Sequence, residues 1–200
     1  MKTGVIDWAV KLAAMNGETE CGDGYVVKEV PDGVLVCAID GLGHGPDAAA
    51  ATEQAIIAIE ENATHELVSI VHHCHKVLLN ERGVVMSLVK LDNARTLSWL
   101  GVGNVEVKLF RWSDNSGEHG VARPVLMSGV VGSGRLPSVY ATSVPVRHND
   151  LLILTTDGIE PGFAEVLDTS ASPEEIAEDI FNNYVKQTDD ALVLVGRYLC

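Results

Sequence analysis

Val34-Leu35-Val36-Cys37-Ala38-Ile39-Asp40-Gly41-Leu42-Gly43-His44-Gly45 is the stretch that decides how this chain folds. Its first six residues are apolar without a break, the pattern of a strand covered on both faces. An acid and a glycine-rich turn follow. A carboxylate at the end of such a strand is partly desolvated, which is costly unless a cation compensates it.

Reading outward, the pattern after Gly45 becomes helical. Pro46 suits a first helical position, and Asp47 complements the positive end of the helix dipole. This helix is predicted to run to Glu61, with Ala48, Ala51, Ala55 and Ile59 as a small-residue stripe that lets it sit close on a sheet. A second helix is predicted from His65 to Asn80, with Leu67, Val71, Cys74 and Leu78 on its inner face. On the N-terminal side, residues 4–13 and 25–30 read as strands, and Pro31-Asp32-Gly33 is a hairpin turn signal.

Beyond the helices the chain reads as successive strands: Val84–Leu91, Thr96–Leu100, Val105–Trp112, Arg123–Ser128, Ser138–Val146 and Leu151–Thr156. A polar loop, Ser113–Gly120, and a glycine-rich one, Gly129–Gly134, interrupt them. Ser172-Pro173-Glu174-Glu175 opens a last helix with a capping box, and Asp190–Leu199 closes the chain as a strand. Short connections imply mainly antiparallel sheets, and helices in two separate blocks imply layers on both outer faces of a sheet pair. The class is α/β of the α+β type, and a length of 200 residues predicts one domain spanning 1–200.

Bulk composition narrows the function. Acidic residues number 28 against 14 basic ones, for a formal charge of −14. Such a surface repels phosphate backbones and anionic lipids, so neither nucleic acid nor a membrane is the expected partner. No apolar run approaches membrane-spanning length, and Asp7 and Lys11 interrupt the N-terminal apolar stretch where a leader would need continuity. Cys21, Cys37, Cys74 and Cys200 form no C-x-x-C pair and read as reduced thiols of a cytoplasmic protein. His72 and His75 share a helix face, but no further ligand has zinc spacing, so they read as solvent-edge residues. Trp8, Trp99 and Trp112 read as core or sheet residues.

Asp-Gly occurs four times, at 23–24, 32–33, 40–41 and 157–158. Turn chemistry explains Asp32-Gly33. Asp40 and Asp157 instead end apolar strands, Asp189 precedes one beside Asp190, and Asp23 lies just before another. If those strand ends converge, several carboxylates share one pocket and raise one another's pKa unless a metal neutralises them. Oxygen-only ligation favours Mg²⁺ or Mn²⁺ over Zn²⁺ or Cu²⁺. Glycine at 41 also lets its carbonyl approach an ion or its bound water.

The ordered set, Asp23, then Asp40-Gly41-x-Gly-x-Gly, Thr156-Asp157-Gly158 and Asp189-Asp190-Ala191-Leu192-Val193, resembles bacterial metal-dependent phosphatases of the PP2C superfamily. Within it, the resemblance is to the branch of the sporulation and stressosome phosphatases SpoIIE and RsbX, over about residues 20–198. It implies an α-β-β-α sandwich and protein serine/threonine phosphatase activity. It implies two divalent ions, Mn²⁺ or Mg²⁺, bridged by Asp40, with Asp23 and the Gly41 carbonyl at the first and Asp157 and Asp189 at the second. It also implies a monomer acting on phosphorylated STAS-domain proteins of the stressosome.

Three departures stand out. Leu42 occupies the position where eukaryotic relatives carry a histidine, leaving His44 as the candidate acid or phosphate contact. Gly103-Asn104-Val105-Glu106 stands where the family has Gly-Asp-Ser-Arg, so an acid linked to a third ion is missing. No arginine lies just upstream of Asp23. Two other readings stay open: a catalytically silent module that binds such a partner, which has no use for four acids, and a nucleotide loop at 41–45, which lacks the Lys-Ser/Thr ending of a P-loop.

Overall fold

The computed structural model describes residues 1–112, 121–123 and 125–200. The polar loop read at Ser113–Gly120 lies outside the described residues. In chain order the elements are β1 (Ile6–Ala13), β2 (Asp23–Val30), β3 (Gly33–Gly41), α1 (Pro46–Glu61), α2 (Leu67–Val77), β4 (Val84–Asp92), β5 (Thr96–Val102), β6 (Glu106–Phe110) and β7 (Val121–Ala122). They continue with β8 (Thr142–Pro145), β9 (Leu151–Thr155), a single 3₁₀ turn (Phe163–Glu165), α3 (Pro173–Tyr184) and β10 (Ala191–Tyr198).

Two antiparallel sheets result, with strand orders β1-β10-β9-β6-β7 and β2-β3-β4-β5-β8. Side-chain alternation along β3 shows how they stack. Leu35, Cys37 and Ile39 join a core with α1 and α2. Val34, Val36 and Ala38 join a second core whose other half comes from the first sheet, including Leu152, Leu154, Leu192 and Leu194. On that sheet's outer face, Ile153, Val193 and Val195 pack with Ile176, Ala177 and Ile180 of α3. The layers are therefore α1/α2, sheet, sheet, α3. The unbroken apolar runs of β3, β9 and β10 follow from burial on both faces.

Local chemistry seats the helices as the sequence predicts. Ser172 Oγ accepts from Glu175 N–H while Glu175 Oε2 accepts from Ser172 N–H, completing the capping box. In α1, Ala48, Ala51, Ala55 and Ile59 are all buried, as are Leu67, Val71, Cys74 and Leu78 of the second helical region. The hairpin is confirmed, with Val30 facing Gly33 across two turn residues.

Some boundaries differ. Among the described residues of the predicted strand Arg123–Ser128, pairing is confined to a lone bridge between Met127 and Val102, and a two-residue strand, β7, precedes it at 121–122. Met127 exchanges backbone bonds with Gly101 and Gly103, so this segment is pinned at one residue rather than laddered. Ser138–Val146 shortens to Thr142–Pro145, and the second helix to Leu67–Val77. His72 and His73 are exposed, and His75 Nδ1 accepts from Gly132 N–H at 3.0 Å. Trp99 is buried, and Trp8 packs against the inter-sheet core.

The glycines of three Asp-Gly pairs have a packing role. A Cβ on Gly24 would lie 2.5 Å from Thr52 Cγ2, and one on Gly41 2.5 Å from the Ala48 carbonyl oxygen. One on Gly158 would strike the Asp190 carbonyl. The first two are missing because α1 rides directly on the ends of β2 and β3. Gly41→Ala is therefore expected to lower stability by about 2 kcal/mol or more in urea unfolding. A loss below about 0.5 kcal/mol would mean that α1 is not seated so closely.

Candidate metal centre

Register brings the acids together. Asp23 of β2 lies directly opposite Asp40 of β3. By alternation both share the face of Tyr25, Val27, Val36 and Ala38, which points into the gap between the sheets. Across that gap the other sheet supplies Asp157, just after β9, and Asp189, just before β10. One end of the inter-sheet gap thus receives two carboxylates from each sheet. Directly opposed like charges destabilise a strand pair, so the arrangement needs protons or cations.

A cleft of about 550 Å³ opens there, lined among others by Asp40, Gly43, His44, Asn104, Asp157 and Asp189. Asp23 sits behind this lining, 5% exposed, and its Oδ2 accepts from Thr156 Oγ1 at 2.6 Å. Thr156 Oγ1 in turn accepts from Leu192 N–H at 2.9 Å, linking Asp23 to β10. Burial raises the Asp23 carboxyl to about 8, opposed by the Thr156 bond and reinforced by Asp40, Asp190 and Asp157. Burial, then Asp157, Asp189 and Asp190, raises Asp40 to about 7. Asp189 is raised too, by burial first and then by Asp157.

Among the described residues no three His, Cys, Asp or Glu side chains converge closely enough to hold an ion alone. The donor set still suits a hard cation. Mg²⁺ and Mn²⁺ take oxygen ligands and keep several waters, so a few carboxylates and a backbone oxygen can serve each ion. Carboxylates whose pKa is raised by burial first and by one another second are those that a divalent ion would recharge.

The two members of the Asp189-Asp190 pair divide their work. Asp190 is 2% exposed; its Oδ1 accepts from Met15 N–H and its Oδ2 from Gly22 N–H, each at 2.8 Å. Both its oxygens are engaged in tying the β1–β2 connection to β10. Asp189 lines the cleft, and its Oδ1 accepts from Asp190 N–H at 3.0 Å. Asn104, standing where the family has an acid, donates from Nδ2 to Asp157 Oδ2 at 2.8 Å and so orients that carboxylate. Lys186 Nζ donates to the Asp157 carbonyl at 2.6 Å.

Two residues near the site carried no signal in the sequence. Glu18, in the β1–β2 connection, hydrogen-bonds His44 Nδ1 through its Oε1 at 2.8 Å. Arg82, between α2 and β4, donates from Nη2 to Asp47 Oδ2 at 2.8 Å and lies against Gly43. Neither belongs to a motif, and only the packing of separate loops around residues 42–45 reveals them.

Comparison with known proteins shows the family and the fold. The family model for stage II sporulation protein E (SpoIIE) matches residues 31–199. Phosphoserine phosphatase RsbX of Bacillus subtilis (strain 168) is 30% identical over 185 residues, spanning 90% of this chain and 89% of that protein. A solved chain from work on the bacterial stressosome superposes with a TM-score of 0.86 at 30% identity, covering 96% of this chain and 99% of the other. The crystal structure of RsbX in complex with magnesium superposes with a TM-score of 0.86 at 23% identity, covering 99% and 98%. Family model, identity and fold coincide: the chain belongs to the SpoIIE family of PP2C-type protein serine/threonine phosphatases.

Proposed function

We propose that this protein removes phosphate from phosphoserine or phosphothreonine of a cytoplasmic signalling protein, using divalent ions held between its two sheets. The observation that carries the reading is the meeting of Asp23 and Asp40 from one sheet with Asp157 and Asp189 from the other. A silent binding module would bear that repulsion without return. The likeness to RsbX, a phosphoserine phosphatase by name, and to a solved chain from work on the bacterial stressosome makes phosphorylated STAS-domain stressosome proteins the proposed substrates. Among the described residues no helix is long and apolar enough to cross a membrane.

Asp40, Asp23 and the Gly41 carbonyl would hold one ion, and Asp40, Asp157 and Asp189 a second; Mn²⁺ and Mg²⁺ both suit these oxygens. Bound there, such ions supply an acidified water and neutralise phosphoryl charge. The chain's own residues do the rest. Asn104 fixes the rotation of Asp157, Thr156 fixes Asp23, and Asp190 anchors the connection that leads into β2. His44, braced by Glu18 at the cleft rim, is placed to protonate a departing serine or threonine oxygen.

Two measurements test this reading. Asp23 and Asp40 have folded pKa values above their unfolded value of 3.8. In metal-free protein their contribution to stability is fully present below about pH 4 and is lost as pH rises through about 7 to 8. Asp40→Asn should therefore raise the metal-free melting temperature on the alkaline side by on the order of 5 °C. It should also flatten the pH dependence and abolish stabilisation by Mn²⁺. A variant that melts no higher than wild type, yet still responds to Mn²⁺, would contradict the assignment.

For His44, kinetics on two substrates are decisive. His44→Gln should slow phosphoserine hydrolysis about tenfold or more. It should leave Mn²⁺-dependent p-nitrophenyl phosphate hydrolysis almost unchanged, because nitrophenolate leaves without a proton. Equal rates on phosphoserine would remove His44 from the mechanism.

A further inference from the structure

We propose that Arg82 binds the substrate's phosphoryl oxygens, an assignment that rests on the phosphatase reading and adds a binding residue to it. Arg82 lies in the short connection between α2 and β4, remote in sequence from every acid of the cleft. The fold nevertheless lays its guanidinium on the metal-side loop. A Cβ built on Gly43 would lie 2.8 Å from Arg82 Nη1, and Gly43 lines the cleft beside Asp40. Gly43 has φ +90°, a backbone state that side chains disfavour, so the position stays bare and the guanidinium occupies the space above it.

The Arg82 backbone is fixed rather than incidental to this contact. Leu42 N–H donates to the Gly83 carbonyl at 3.1 Å, joining the two loops directly. Gly83 has φ +85°, and a Cβ there would come within 2.9 Å of Val130 Cγ1 and the Val131 carbonyl. Val131 in turn exchanges both backbone bonds with Val84. The Arg82 backbone is thus clamped between the Gly43 loop and the 130–131 segment.

The Arg82 side chain is committed only weakly. Its one ion-pair partner among the described residues is Asp47, and the two side chains are 48% and 70% exposed. Exposed pairs of this kind hold little, so a phosphate group arriving at the cleft can compete for the fork. Need and geometry coincide. The cleft wall is acidic, and Lys186, in the connection between α3 and β10, donates a hydrogen bond to the Asp157 carbonyl. A phosphoryl group with several charged oxygens matches the two-pronged guanidinium, which Lys cannot copy.

A plainer role for Arg82 would be to pair with Asp47 at the start of α1, and the test separates the two. Arg82→Ala, Arg82→Lys and Asp47→Asn are compared with wild type by p-nitrophenyl phosphate kinetics, inhibition by inorganic phosphate, Mn²⁺ half-saturation and melting temperature. Arg82→Ala should raise KM and the phosphate inhibition constant about tenfold or more, with Mn²⁺ half-saturation unmoved. Arg82→Lys should recover only part of this, and Asp47→Asn should leave KM at or below the wild-type value. Unchanged phosphate inhibition in Arg82→Ala, or the same rise in KM in Asp47→Asn, would overturn the assignment. If wild type hydrolyses nothing with Mn²⁺, the phosphatase reading fails by itself. Calorimetric binding of inorganic phosphate to the Mn²⁺-loaded wild type and Arg82→Ala then still decides Arg82, equal affinities overturning its role.

Discussion

The like-charge pair formed by Asp23 and Asp40 across neighbouring strands is the constraint on which the rest of this structure depends. Two carboxylates in register face the gap between two apolar sheets, where burial makes their charge costly. Their position is bearable because the carboxyls are pushed up toward neutrality, Asp23 to about 8 and Asp40 to about 7, and because a divalent ion can take the place of those protons. The fold then reads as a device for bringing a second pair, Asp157 and Asp189, to the same end of the gap.

How that is done follows from the packing. Each sheet is covered on both faces, so strand ends are the only parts of β3, β9 and β10 where a polar group can reach solvent without breaking a core. Chain reversals at those ends supply the acids. The α1 helix seals one side by sitting almost on the backbone of β2 and β3, which removes the side chains at 24 and 41. Asp190 seals the other by accepting from two backbone amides at once. Rigidity comes from these buried contacts, and the cleft carboxylates are left for ligands.

Much of this was legible in the sequence. The six-residue apolar run before Asp40, the alanine stripe after Pro46 and the Ser172–Glu175 capping box each have a local physical cause, and each appears as read. The layer order followed from where the helical patterns lie. What was hidden depends on contacts between distant loops. The in-register pairing of Asp23 with Asp40 is set by the two-residue hairpin at Pro31-Asp32, whose register can be counted only once both strand lengths are known. The reason for glycine at 41 was read as access for an ion, whereas the approach of α1 already forbids a side chain there. Glu18 and Arg82 sit in no motif, and nothing in their neighbours distinguishes them from solvated surface charges. The strand predicted at 123–128 failed because, among its described residues, backbone pairing is confined to a single bridge at Met127 instead of a ladder.

Asp190 is engaged by two backbone amides while Asp189 faces the cleft, which leaves Asp189 as the proposed ligand of the pair. The account is most exposed at a single point, the claim that Asp40 is shared by two ions. Calorimetric titration of Mn²⁺ into metal-free wild type and Asp189→Asn at neutral pH addresses it directly. The account predicts two bound ions per wild-type chain and one, held through Asp40 and Asp23, in Asp189→Asn. No heat of binding in wild type, or two ions bound alike in both proteins, would contradict it.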